Sequence, residues 1–161
     1  HDPNLDFVLP AVPHLLPLIK ILVEGSGVTI LDQPEDLMPA LQTSDAMIAT
    51  SGTITLQAAL CGTVGVTCYL TDAFSGFVGR RLVNLDKVIL PNAILGRQLY
   101  PFYFQEAATG KTLAAATLNC LCDANAKSSA RCAAIELKSL LTGGAQTFDE
   151  LVIRALKNWL D

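Results

Sequence analysis

Several things are scarce in this chain of 161 residues, and each shortage removes a class of function. Charged residues make up only 16% and leave a formal net charge of -4, so the clustered Lys and Arg of a nucleic-acid binder are missing and no nucleic-acid partner is expected. There are two histidines, His1 and His14, and the five cysteines include no C-x-x-C pair. Cys120-Leu121-Cys122 with so few histidines falls short of a zinc ligand set, and no metal or cofactor is expected. The odd number of cysteines, several in segments that read as helical, fits free buried thiols in a reducing compartment. No apolar run reaches membrane-spanning length and no signal peptide opens the chain. No linker rich in Pro, Gly or Ser divides it, so a single domain over 1–161 is expected. Its βα repeats and cleft loops would span 1–105, and closing helices 106–161.

What is present is an apolar majority, 51% of the residues, set out in repeated units. Short β-like runs at Phe7–Leu9, Val28–Leu31, Met47–Ala49, Val66–Tyr69 and Val88–Leu90 alternate with helical stretches near His14–Glu24, Glu35–Gln42, Thr53–Cys61 and Ser75–Val83. Repeats of this length predict an α/β, Rossmann-like parallel sheet with helices on both faces. Closing helices follow near Lys111–Cys122, Ala126–Leu141 and Thr147–Leu160. Gly25, Gly27, Gly62 and Gly65 fall where helix ends and turns are expected.

One junction carries most of the chemistry. The apolar run into Ala49-Thr50 stops at Ser51-Gly52-Thr53 and continues as a helix, and ligands of open α/β sheets sit beyond such strand ends. Ser51 can cap the helix, Gly52 lets a ligand approach the backbone, and Thr53 offers a hydroxyl beside free N–H groups. Gln57 lies one turn on, on the same face. An ordinary N-cap and a phosphate site both satisfy this segment.

Other candidates are weaker. Asn92 and Arg97 follow the last expected strand, and the Arg fork suits phosphate or carboxylate, although a loop Asn and a solvated Arg need no ligand. Phe74 and Phe77 with Arg80 and Arg81 suit a lipid surface, but helix-end cations also complement the dipole. Gly110-Lys111-Thr112 resembles the tail of a P-loop, but the earlier glycine position is Gln105 and no strand is expected before it. Gly25-Ser26-Gly27 precedes a strand, unlike the dinucleotide fingerprint. No nucleophile elbow accompanies His14.

Taken in order, Phe7-Val8-Leu9-Pro10, Ser51-Gly52-Thr53 with Thr55-Leu56, Gly79-Arg80-Arg81-Leu82-Val83, Leu90-Pro91-Asn92, Gly96-Arg97, Pro101 and Gln105 resemble the C-terminal part of the lipid-A-disaccharide synthase family. These are inverting glycosyltransferases of the two-domain GT-B type. The resemblance implies transfer of 2,3-diacylglucosamine from UDP-2,3-diacylglucosamine to 2,3-diacylglucosamine 1-phosphate. It also implies that this chain is the donor-binding half and has a cytoplasmic location, peripheral on the inner-membrane surface.

By the same resemblance Ser51, Gly52 and Thr53 meet the donor diphosphate, and Gln57 stands where the family usually has Glu. Asn92, Arg97 and Gln105 line the same cleft. The acceptor half with its catalytic acidic base lies outside the chain, as does the first strand of the donor half with its loop. No catalytic residue is therefore assigned, the fragment alone is expected to be inactive, and the missing acceptor domain and a second copy in a homodimer are candidate partners. The alternative is a non-catalytic Rossmann-like domain that docks a partner or membrane through the aromatic run Tyr100–Phe104.

Overall fold

The computed structural model describes residues 5–71 and 88–142. The expected helices over Ser75–Val83 and Thr147–Leu160, and with them Phe74, Phe77, Arg80 and Arg81, lie outside the described residues. The chain divides into two compact units, His1–Ser44 and Asp45–Asp161, and among the described residues each unit holds a parallel sheet, of two strands in the first and three in the second.

In the first unit β1 (Val8–Pro10) pairs in parallel with β2 (Thr29–Leu31), with Leu9 opposite Ile30. Between them, a short 3-10 turn leads into α1 (Leu16–Val23), where Pro17 sits in the first turn, a position whose N–H has no helical partner in any case. After β2 comes α2 (Leu37–Thr43). Little of this unit is buried: α1 contributes no buried residue and α2 only Leu41.

The second unit holds the core. Its sheet runs β3 (Ala46–Thr50), β4 (Val64–Tyr69), β5 (Phe102–Phe104), all parallel, with β4 in the middle. Val64, Gly65, Val66 and Thr67 are all buried although successive side chains point to opposite faces, so β4 is covered on both sides, as a central parallel strand must be. The covering helices are α3 (Thr53–Cys61), α4 (Leu90–Leu95), α5 (Gly110–Cys122) and α6 (Ala124–Thr142). α5 packs on β3 and β4, while α3, α4 and α6 pack on one another. Ala58, Ala59, Ala130, Ala133 and Ala134 are buried, small side chains that let these helices approach closely.

Three sequence expectations need correction. Val88–Leu90 is not a strand: Ile89 is a buried plug before α4, and Leu90 and Pro91 open that helix. A short apolar run bounded by Pro does not distinguish a strand from a buried helix entry. The strand lies instead at the aromatic run, where Phe104 stacks on Tyr69 across the ladder at 6.5 Å. The segment that motivated a docking domain is thus a sheet element, with Tyr100 fully buried beside it. Finally, the cysteines are free as expected but not uniformly buried: Cys61, Cys68 and Cys120 are half-buried, Cys122 and Cys132 exposed.

Two glycines show opposite reasons for being glycine. Gly62 ends α3 in the left-handed region at φ 76°, the usual helix stop. Gly65, expected in a turn, lies inside β4, where a Cβ would stand 2.6 Å from Met47 Cγ and press on the Met47 carbonyl oxygen. Met47 is the register partner of Gly65, so β3 can relieve the clash only by shifting its backbone. Gly65→Ala should lower stability by about 1–3 kcal/mol, the range of overpacked cores, read from the midpoint of urea unfolding. Gly110→Ala, where a Cβ meets open space, should be tolerated.

Candidate functional site

The site is built where β3 ends. After Thr50 the chain passes through Ser51 and Gly52 and enters α3 at Thr53. Gly52 has φ 154°, a backbone that side-chain-bearing residues rarely adopt, and a Cβ placed there meets no described residue within 4 Å. Glycine is therefore required by conformation, and among the described residues nothing fills the space beside it.

Gly52 is itself the N-cap, and no side chain caps the helix. The expected Ser51 cap does not form, because the Ser51 hydroxyl donates to the Val88 carbonyl at 3.2 Å, beside the start of α4. Thr55, fully buried, donates its hydroxyl to the Gly52 carbonyl at 2.7 Å and so holds the turn from below. Thr53 is exposed at the mouth and Gln57 is half-buried one turn on. The result is a helix start that no described side chain caps, with the partial positive charge and first N–H groups of a helix end, an arrangement suited to an anion.

Gln105 reaches the same end of the sheet. The β3–β4 register pairs Thr50 with Cys68 and the β4–β5 register pairs Tyr69 with Phe104, so Ser51, Thr71 and Gln105 all lie just past the carboxyl ends of adjacent strands. The Gln105 side-chain amide donates to the Thr71 carbonyl at 2.8 Å and accepts from the Thr71 N–H at 3.0 Å, adding one more rung to the β4–β5 ladder. Its backbone has φ 52°, which no other non-glycine among the described residues shares. A strand, β5, does lead toward Gly110-Lys111-Thr112, contrary to expectation. The P-loop match fails all the same, since Gln105 occupies the glycine position and Thr109 caps α5.

Asn92 and Arg97 are committed elsewhere. Asn92 is buried, 5% exposed. Its carbonyl oxygen accepts from the N–H groups of Leu99 (2.8 Å) and Tyr100 (3.0 Å), and its amide donates to the Tyr100 carbonyl at 2.9 Å. Arg97 forms a forked pair with Glu136 of α6, at 3.0 and 2.6 Å, on the protein surface. That hydrogen bond raises the arginine pKa and lowers that of the Glu136 carboxyl, so the pairing is present above the ordinary carboxylate range and is lost as pH falls below it.

Arg97 also borders a cavity of about 260 Å³ with Val64, Gly65, Tyr100 and Cys120. Val64 and Gly65 begin β4, so this cavity is at the amino end of the sheet, opposite Ser51. The sequence-predicted residues thus separate: Ser51, Gly52, Thr53, Gln57 and Gln105 belong to the carboxyl end, Asn92 to the interior, and Arg97 to the amino end.

Sequence reasoning missed the residues that hold this arrangement. Tyr100 donates its hydroxyl to the Thr63 carbonyl at 2.8 Å, and burial pushes its phenol well above the usual range. Thr67 directs both its N–H and its hydroxyl to the Pro101 carbonyl, each at 2.9 Å. These partners lie 34 to 37 residues apart in sequence, beyond any local motif. No group of three His, Cys, Asp or Glu able to hold a metal occurs among the described residues.

With the geometry in hand, comparison with known proteins decides the family. The family model described as lipid-A-disaccharide synthetase matches residues 3–153. The chain belongs to this family. Among curated relatives, the lipid-A-disaccharide synthase of Nitrosococcus oceani is 32% identical over 157 residues, covering 92% of this chain and 41% of the relative. That of Rhodopseudomonas palustris (strain BisB18) is 31% identical over 144 residues, 88% of this chain and 36% of the relative. That of Paraburkholderia phytofirmans is 40% identical over 126 residues, 76% of this chain and 32% of the relative. The chain spans about two fifths or less of the length of these synthases. No helix among the described residues is long and apolar enough to cross a membrane.

Removing the Asn92 side chain exposes the weight it bears. Asn92→Ala leaves two N–H groups and a carbonyl without partners in a dry interior, at about 1–3 kcal/mol for each such group. A total loss of about 3–5 kcal/mol is expected from chemical denaturation, whereas Arg97→Ala should leave the unfolding midpoint nearly unchanged, as surface pairs usually do.

Proposed function

We propose that this chain is the UDP-donor-binding part of a lipid-A-disaccharide synthase. In this reading the whole enzyme transfers 2,3-diacylglucosamine from UDP-2,3-diacylglucosamine to 2,3-diacylglucosamine 1-phosphate at the inner-membrane surface. The observation that carries it is the uncapped start of α3 at the carboxyl end of β3, held open by Gly52.

Departure of UDP develops negative charge on the diphosphate. A helix start with preorganised N–H groups stabilises such charge without reorganising as it forms. Thr53 supplies a hydroxyl at the mouth, Ser51 ties the strand end to the α4 entry, and Gln57 faces the donor one turn deeper. Gln57 can donate and accept a hydrogen bond but lacks the charge-assisted acceptor strength of the Glu that the family resemblance leads one to expect. Donor affinity is therefore modest. The acid-base chemistry at the acceptor hydroxyl belongs to the part of the synthase outside this chain, so these residues alone bind donor and do not turn it over.

Substitution at Thr53 separates folding from binding because the two respond in opposite directions. An aspartate there stabilises a helix N-terminus by about 0.3–1 kcal/mol yet repels a diphosphate. Calorimetric titration of the chain should show saturable UDP binding, lost by at least about tenfold in Thr53→Asp, tightened in Gln57→Glu and unchanged in Arg97→Ala. Absence of binding at millimolar UDP in a folded sample, or equal binding by Thr53→Asp, would overturn the assignment.

A further inference from the structure

Thr55 stands where a polar side chain is least expected. Thr55, Ala58 and Ala59 share the i, i+3, i+4 spacing of one helix face and all three are buried, Thr55 to 0% exposure. Valine would fill that place with the same branched shape and no hydroxyl to desolvate. The hydroxyl is tolerated because it is bonded, and its partner is the Gly52 carbonyl at 2.7 Å. Three other helical threonines, Thr43, Thr117 and Thr142, bond backward to carbonyls inside their own helices, those of Pro39, Leu113 and Lys138, at 2.9, 2.8 and 2.8 Å. Thr55 reaches instead to the N-cap residue, which lies before α3.

Gly52 is the residue most in need of such a bond. At φ 154° and ψ -171° it adopts a backbone open to glycine, and the same permissiveness leaves the chain free to turn there. Its carbonyl accepts twice from Thr55, from the N–H at 3.2 Å and from the hydroxyl at the shorter distance of 2.7 Å. In a planar trans peptide the C=O and the following N–H point in opposite directions. With the Gly52 carbonyl drawn toward Thr55, into the helix, the Thr53 N–H is aimed back out of it, at the helix start that no described side chain caps.

We infer that Thr55 is a positioning residue for the anion site: its buried hydroxyl locks the Gly52–Thr53 peptide, so that the Thr53 N–H is already aimed when a nucleoside diphosphate arrives. Backbone donors stabilise charge to the extent that they are fixed beforehand, and a donor that must be ordered on binding gives back part of the affinity. Glycine at 52 supplies the conformation, and Thr55 removes the freedom that comes with it. The inference deepens the donor-site reading and rests on it for the identity of the ligand, but not for the lock.

Two substitutions separate the lock from ordinary packing. Thr55→Val keeps the branched shape and the backbone N–H but deletes the hydroxyl, whereas Thr55→Ser keeps the hydroxyl and deletes a buried methyl. If Thr55 only fills the core, serine is the more harmful change in every measurement. The lock predicts that serine lowers the urea midpoint while valine is the one that impairs the site. Without ligand, 15N relaxation should give the Thr53 amide an order parameter near about 0.85 in the parent and in Thr55→Ser, falling toward about 0.6 in Thr55→Val. In calorimetric titration, UDP should bind Thr55→Val roughly three- to tenfold more weakly than the parent, and Thr55→Ser as the parent does. Equal Thr53 order in parent and Thr55→Val would overturn the inference. So would a loosened Thr53 amide or weakened UDP binding in Thr55→Ser, where the hydroxyl is present. A parent chain that binds no UDP removes the donor-site reading instead, and the order parameters still decide the lock.

Discussion

The buried amide of Asn92 is the contact on which the geometry of the second unit depends. By pairing with the backbone of Leu99 and Tyr100 it fixes the turn that follows α4. That turn drives Tyr100 into the core, where its hydroxyl meets Thr63, and presents the Pro101 carbonyl to Thr67 of β4. β5 then enters the sheet in the one register that sets Phe104 against Tyr69 and Gln105 against Thr71. An interior amide with all three bonds made costs little and specifies one arrangement; unmade, it would favour none.

This chain of contacts also divides the labour between the two ends of the sheet. The amino end carries the cavity beside Tyr100 and Cys120, with Arg97 paired on the surface to Glu136. The carboxyl end is left open at Gly52 and squared off at Gln105 by a side chain acting as a backbone rung. Polar groups at that end are spent on shaping the backbone: Ser51 on Val88, Thr55 on Gly52, Gln105 on Thr71. What remains unspent among the described residues is the helix start itself and Thr53, which suits a ligand recognised through its charge and its approach to the backbone. In the proposed reading the donor diphosphate takes that place.

Much of this is legible in the amino-acid sequence. The helix over Thr53–Cys61 was readable with its bounds, because its apolar spacing is uninterrupted and Gly62 stops it, and the parallel βα pattern of the first half followed from the same periodicities. The candidate anion site was readable because it is local, with strand, glycine and helix start contiguous. Illegible were the pairings across distance. Nothing near Asn92 announces that its partners are its own loop rather than a ligand, and nothing near Arg97 points to Glu136, 39 residues on. The strand at Phe102–Phe104 was hidden because bulky aromatics after a proline suit core, edge and docking surface alike, and only the hydroxyl of Thr67 bonding to Pro101 distinguishes them.

The central claim is that this chain meets its ligand at the carboxyl end of the sheet and nowhere near Arg97. Backbone amide shifts recorded by NMR during titration with UDP test it most directly. The account predicts saturating changes at Gly52, Thr53 and Ile54, smaller ones at Gln57 and Thr71, and none at Gly96, Arg97 or Gln98. Shifts centred on Arg97 and the amino-end cavity, with Gly52 and Thr53 unmoved, would contradict it.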